Sequence, residues 1–595
     1  MKKEDEMRCR SLAVLCTFIL ISAVSLSFGQ ENPQAEPFDG FSEFVEKILQ
    51  EWEVPGIGIA VFKDGEVIFM RGYGFRDVEE QLPVTPQTLF AIGSTTKAFT
   101  SLAMGLLADE GKVEWDKPVR TYLPDFELRD EYATLHMTPV DLLNHNSGLP
   151  RHDVMWYRSE LSRKEIYDRL RYLEPTAEFR QAYQYNNLIF MTAGYLIGQV
   201  SGGTWEDFVG ERIFKPLGMS RTIFGPPEDE SIDSASPYVK RDDNVIKVPH
   251  YQGWAVGPAG SIYSSVEDMS KWLALHLNKG KIGEEVLINE GTLNLLHTPK
   301  VVMGGGSAEM PIVAYGFGWV IQPYRGHQFI WHNGGIDGFY AFIGFLPYDN
   351  LGMVILTNRA GNPAPEIISR TTFDRIFELE GIDWNAKFAE QRTQAEEAAK
   401  QQKQGDSGKK EGTSPTHPLA DYAGVFEHPA YGRVKVTHSD GKLEMELLGE
   451  KLPLEHFHYD VFVIDQPAGG KLKLTYNMDL QGDIVSVESL LQIGVDPIVF
   501  TRVAEESLKS EDYLNKFAGE YDLMGQTVKF EVRNGTLFAI VPGQPDYELV
   551  PVRENNFKLK IADGYTVEFK LDEQGNVTEG IFHQPNGDFP VKRKN

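Results

Sequence analysis

Apolar side chains recur at two different spacings along the chain, and the switches between them mark out its elements. Ile57 to Phe62, the pair Asp64-Gly65 and Val67 to Arg71 read as two strands joined by a tight hairpin turn. Phe329 to Asn333, Tyr340 to Leu346 and Met353 to Asn358 read as three more strands. A helix follows, with Ile367, Ile368, Phe373 and Ile376 on one face. Early and late strands bracketing a helical middle predict one sheet built from both ends of a single unit. The inner helices then form a separate lobe, which is an α+β arrangement.

From Lys387 to His417 large apolar side chains almost vanish, and Gln, Lys, Glu, Gly and Ser dominate. Such a stretch buries too little surface to offset its ordering entropy, so it reads as a helical tail fading into a linker. Beyond it the pattern becomes short alternating strands, and it occurs twice. Leu419 to Phe426 matches Leu514 to Tyr521, Val434-Lys-Val436 matches Val528-Lys-Phe530, and Gly441-Lys-Leu443 matches Gly535-Thr-Leu537. Turn pairs such as Asp440-Gly441 and Asn534-Gly535 separate the strands, a pattern that predicts two small antiparallel barrels. The expected division is a leader over 1–29, a catalytic unit over 30–385, a linker over 386–416, and barrel repeats over 417–505 and 506–595.

A chain of 595 residues is too long for one core, in keeping with several domains. The formal charge of −28 argues against nucleic acid or an anionic membrane surface as the main partner. Arg8 and Arg10 precede a nearly continuous apolar or small run from Ser11 to Phe28, and Ser27-Phe28-Gly29 resembles a cleavage site. The expectation is a secreted or periplasmic protein with no membrane span left after cleavage. Both cysteines, Cys9 and Cys16, fall inside that leader. The mature chain then has no disulfide, no thiolate nucleophile and no cysteine-ligated zinc, and no metal or cofactor is expected.

The candidate chemistry begins at Gly93-Ser94-Thr95-Thr96-Lys97, which opens a helix with Phe99, Leu102, Ala103, Leu106 and Leu107 on its apolar face. Residues three apart share a face, so Lys97 stands beside the Ser94 hydroxyl. A serine needs a base to attack a carbonyl, and a desolvated lysine serves once its proton affinity falls. Ser-x-x-Lys alone says little, since it recurs at Ser407–Lys410 and Ser439–Lys442. Two further elements add weight. Tyr185-Asn186-Asn187 precedes a helical pattern through Leu188, Met191, Tyr195 and Leu196. His332-Asn333-Gly334-Gly335 ends a strand, where glycines admit a substrate and the Gly335 N–H faces a developing oxyanion.

In this order and at these separations, Ser-x-x-Lys, Tyr-x-Asn and His-x-Gly resemble the class C β-lactamase and penicillin-recognising serine hydrolase family. Leu142 to Leu149, Gly257-Pro-Ala-Gly260 and Tyr315-Gly-Phe-Gly-Trp319 extend the resemblance across the first unit. It implies a β-lactamase/transpeptidase-like domain: an antiparallel sheet flanked by helices, plus a helical lobe. It also implies Ser94 as the acylated nucleophile, Lys97 as its proton acceptor and Tyr185 as the shuttle to the leaving group and the deacylating water. Asn187, His332, Gly334 and Gly335 would then hold substrate and oxyanion. His332 departs from the lysine common there, and a weakly charged imidazole grips a carboxylate less firmly. That departure is similar to the D-aminopeptidase and esterase branches, and the former also carry two barrels.

The reading is an acyl-enzyme hydrolase of amide or ester bonds in small, D-residue-containing peptides or esters. A β-lactamase or a D-Ala-D-Ala carboxypeptidase is the alternative within the family. A binding or sensor protein that keeps the fold without turnover is the alternative outside it. No Gly-x-Ser-x-Gly elbow is present, which disfavours an α/β-hydrolase.

Overall fold

Strands from both ends of the first unit meet in one nine-stranded antiparallel sheet. Its order is Val301–Val302, Ala314–Tyr315, Val320–Tyr324, His327–Ile336, Phe339–Leu346, Leu351–Thr357, Gly56–Lys63, Glu66–Asp77 and Leu82–Pro83. The two ends of the chain join at the pairing of Ile57 with Thr357 through Lys63 with Leu351. This is a computed structural model, and it describes residues 40–594 except 230, 242, 406–407, 448–449, 466–470, 481, 493 and 562–563. The leader expected over 1–29 lies outside the described residues.

The joining strand reads as an unbroken apolar run because both of its faces are covered. Ile57, Ile59 and Val61 enter one core with Phe41, Val45, Ile367 and Phe373, from helices Phe41–Glu51 and Ala364–Ile376. Ala60 and Phe62 enter the other core, with Val266 and Leu273 of helix Val266–Leu277. The alternation is the two-residue period of a strand read from two sides. Helix Thr96–Asp109 is buried on nearly every face, so it lies inside the molecule rather than on its surface. Beside it runs helix Asn187–Ser201, capped by the Asn186 side chain on Ile189 N–H at 3.0 Å and ended by Gly202 in the left-handed region.

The first unit passes into helix Trp384–Gly405, whose opening Trp384 is buried and donates Nε1–H to Asp374 at 2.8 Å. The two copies of the repeat are closed antiparallel barrels of eight strands each. Val425 pairs with Val503 to close the first and Tyr521 with Arg593 to close the second, so neither sheet is left with an open edge. Each barrel has its own apolar filling. Ala430 of the first barrel is the exception, because it is wholly buried within the core of the catalytic unit. No helix among the described residues is long and apolar enough to cross a membrane.

Candidate active site

Ser94 lies in a single 3-10 turn, Gly93–Thr95, that leads directly into helix Thr96–Asp109. Lys97 is buried one turn along, with Nζ 3.1 Å from Ser94 Oγ, 2.8 Å from Asn187 Oδ1 and 2.9 Å from the Ala259 carbonyl. Burial holds its proton affinity well below the usual lysine range. The Arg151 guanidinium pushes the same way and the Asp153 carboxylate opposes both. A neutral amine has two N–H groups and one lone pair. In the neutral form the two fixed oxygens, on Asn187 and Ala259, satisfy both hydrogens, and the lone pair is then free for the Ser94 hydroxyl. Ala259 is held in place because Thr100 Oγ1 donates to Pro258 O at 2.6 Å, tying helix Thr96–Asp109 to the Trp254–Ala259 turn.

Tyr185 stands just before helix Asn187–Ser201, hydrogen-bonded to Ser94, with its ring 4.7 Å from Lys97 Nζ. Burial pushes its phenol above the ordinary tyrosine value, so the hydroxyl keeps its proton. His145 braces this segment: its Nδ1 accepts the Asn186 N–H at 3.1 Å and its ring lies 4.2 Å from that of Tyr185. Asn187 is fixed at its other end, where Nδ2 donates to Asp153 Oδ1 at 3.0 Å.

The glycines explain how a strand reaches the serine. Gly334 and Gly335 run against the Ser94 turn so closely that a Cβ on Gly334 would lie 1.9 Å from Ile92 O. Gly93 adopts a φ of +50° against Gly335, where a side chain would be both strained and obstructed. His332 takes a different place from its neighbours. It is buried, burial first and the Lys97 amine second lower its pKa to about 3, and its Nε2 lies 3.0 Å from Tyr315 Oη. The imidazole is therefore neutral and packed between Tyr315 and Tyr185, whose ring centre lies 6.4 Å from its own, while Gly335 forms part of the cleft wall.

In front of Ser94 opens a cleft of about 390 Å³. Gly335, Asn187 and Gly260 line its base, and Trp156, Tyr157, Tyr251 and Trp254 line one wall. The Tyr157 and Tyr251 rings stack at 5.5 Å, and Trp254 meets Tyr251 edge-on at 4.8 Å. The charged groups on the lining are Arg151, Asp153 and Asp337, and each already has a partner. Arg151 Nε lies 2.5 Å from Asp153, and Tyr157 Oη donates to both oxygens of Asp337 at 2.7 Å. No group of histidines or carboxylates among the described residues is placed to hold a metal ion.

The structure thus brings Ser94, Lys97, Tyr185 and Asn187 together, sets Gly334 and Gly335 alongside, and turns His332 toward Tyr315. Sequence reasoning missed Asp153, Arg151, the Ala259 carbonyl and the aromatic wall. The signals nearest to them were the Leu142 to Leu149 stretch, which runs straight into Arg151 and Asp153, and Gly257-Pro-Ala-Gly260, which contains Ala259.

The beta-lactamase family matches residues 41–372, and a domain of unknown function, DUF3471, matches residues 408–502. The unguisins hydrolase ungD' of Aspergillus campestris is 32% identical over 432 residues, covering 67% of this chain and 78% of that protein. Protein flp of Staphylococcus aureus is 28% identical over 335 residues, covering 55% of this chain and 64% of that protein. Among solved structures, the octameric penicillin-binding protein homologue from Pyrococcus abyssi superposes with a TM-score of 0.52 at 21% identity. That match covers 84% of this chain and 98% of the other.

Proposed function

The chain belongs to the β-lactamase family of serine hydrolases, and from that premise we propose that Ser94 forms an acyl-enzyme with amide or ester substrates. The observation that carries the reading is the setting of Lys97: a buried amine 3.1 Å from Ser94 Oγ and held by the Asn187 and Ala259 oxygens at 2.8 and 2.9 Å, its proton affinity lowered by burial. Lys97 accepts the hydroxyl proton as Ser94 attacks the carbonyl. The N–H groups of Ser94 and Gly335 stabilise the oxyanion. Tyr185 hands its phenolic proton to the leaving group and is reprotonated by Lys97; the pair then takes a proton from the water that attacks the acyl carbonyl and returns it to Ser94 Oγ. Asn187 holds Lys97 and the substrate amide.

The substrates we propose are small peptides, D-residue-containing ones included, or simple esters. A neutral His332, and an Arg151 already engaged by Asp153, favour a bond that needs no free carboxylate beside it. The aromatic wall suits a bulky apolar side chain. A relative named as an unguisins hydrolase supports a hydrolytic reaction. The apolar run before residue 29 supports export, to the periplasm or beyond.

A fluorophosphonate probe followed by mass spectrometry tests the reading. The adduct should sit on Ser94 and be absent from Ser94→Ala; a label on another residue, or none at neutral pH, overturns it. A panel of D-aminoacyl anilides, nitrophenyl esters and a chromogenic cephalosporin then tests the substrate class. Preference for the cephalosporin over both others overturns that part alone.

A further inference from the structure

The loop that carries Asp153 is gripped from the first barrel at two adjacent residues. Asp153 N–H donates to Gln492 Oε1 at 2.8 Å, while Gln492 Nε2 lies 3.4 Å from Asp153 Oδ2. One residue earlier, His152 is buried with a φ of +48°, its Nε2 3.3 Å from the Glu174 carbonyl and its Nδ1 2.7 Å from Tyr431 Oη. A carbonyl only accepts, so Nε2 carries the hydrogen and Nδ1 accepts from Tyr431. Beside these, Arg169 donates to Ala430 O at 3.2 Å.

Asp153 is where this grip meets the chemistry. Its Oδ1 accepts from Asn187 Nδ2 at 3.0 Å and from Trp156 Nε1 at 2.9 Å, and its Oδ2 faces Arg151 and Gln492. Asn187 in turn presents Oδ1 to Lys97. The chain of contacts therefore runs from Gln492 through Asp153 and Asn187 to the amine beside Ser94. A primary amide is suited to the outer end, because its oxygen takes the Asp153 N–H while its nitrogen meets the Asp153 carboxylate. It adds no charge of its own, so Arg151 alone offsets Asp153.

We propose that Gln492, on the first barrel, is a positioning residue for the Ser94–Lys97 pair. It holds Asp153, which fixes Asn187 and sets the field felt by Lys97. The inference rests on the acyl-enzyme reading of Ser94 and adds that the catalytic unit is incomplete without this barrel.

The test is the rate of fluorophosphonate labelling at Ser94 against pH in the full-length chain and two variants. Gln492→Ala frees Asp153 and should slow labelling about 10-fold, through loss of alignment alone. Gln492→Glu keeps an oxygen for the Asp153 N–H but sets a second carboxylate beside the first. Added negative charge favours protonated Lys97, so the acid limb of the profile should move up by about one pH unit. Labelled wild type with both variants matching its rate and limb overturns the inference. So does an equal slowing in both with no movement of the limb, which marks Gln492 as merely structural. Wild type unlabelled at Ser94 overturns the acyl-enzyme reading itself and the inference with it.

Discussion

The two barrels began as copies, and they differ at the end that matters. In the first, strands Gly424–His428 and Gly432–Ser439 are joined by residues 429–431, and strands Ile484–Ser489 and Ile498–Val503 by residues 490–497. The equivalent connections in the second are residues 524–525 and 585–586, both two-residue turns. In an up-and-down barrel these two connections lie at the same end. The lengthened pair supplies Ala430, Tyr431 and Gln492, all of which meet the catalytic unit. The corresponding tip of the second barrel leaves Met524 80% exposed. The second barrel instead meets the first through Arg553, 3.2 Å from Asp421 and 3.1 Å from Asp483. Closure of the strands makes a closed body in both copies, and the longer loops bring the first of them onto the catalytic unit.

The comparison can be broken most severely at Ala430. A tryptophan there, in Ala430→Trp, has no room in a wholly buried seat and should force the barrel off. Limited proteolysis between residues 384 and 424 reads the release, and Ser94 labelling should fall with it. Phe569→Ala removes a ring packed among Phe517, Phe530 and Phe557 in the second barrel. It should cost about 4 kcal/mol in a denaturant transition while leaving the labelling rate unchanged.

A pH titration reaches the interface itself. Burial first, and His428 beside it, lower His152 from the ordinary 6.5 to about 4, against the Glu174 carbonyl and Asp153, which favour its proton. Between those values the unfolded chain binds a proton that the folded chain refuses. The contribution, up to about 3 kcal/mol, is complete above pH 6.5 and is lost as the pH falls toward 4. His152→Gln should flatten that part of the stability profile, and an unchanged slope would place the titration elsewhere. Tyr431→Phe leaves Nδ1 of His152 without its donor and should cost about 1 kcal/mol in thermal unfolding. Met524→Asp, its counterpart on the second barrel, should change stability by less than about 0.5 kcal/mol.

Much of this was legible from periodicity. The hairpin at Asp64-Gly65, the late strands and the repeat each announce themselves within a few residues, because one side-chain period serves one buried face. Ser94, Lys97, Tyr185 and Asn187 were legible because three spaced motifs agreed. Ala259 was not, since its contribution is a carbonyl that any residue carries. Asp153 resembles any loop aspartate until the fold sets Asn187 on one side and Gln492 on the other. His332 was placed by its neighbours, yet the direction of its ring depends on Tyr315, and no spacing along a strand records which partner a side chain chooses.

The approach of Gly334 to Ile92 bears on how such an enzyme can be re-targeted. The surfaces that meet the reacting carbonyl are main chain against main chain, with no room for a methyl group, so libraries at Gly93 or Gly334 will return mostly inactive clones. Diversity belongs instead in Tyr157, Tyr251 and Trp254, whose side chains shape the cleft wall. Selection there can change what is hydrolysed without disturbing how.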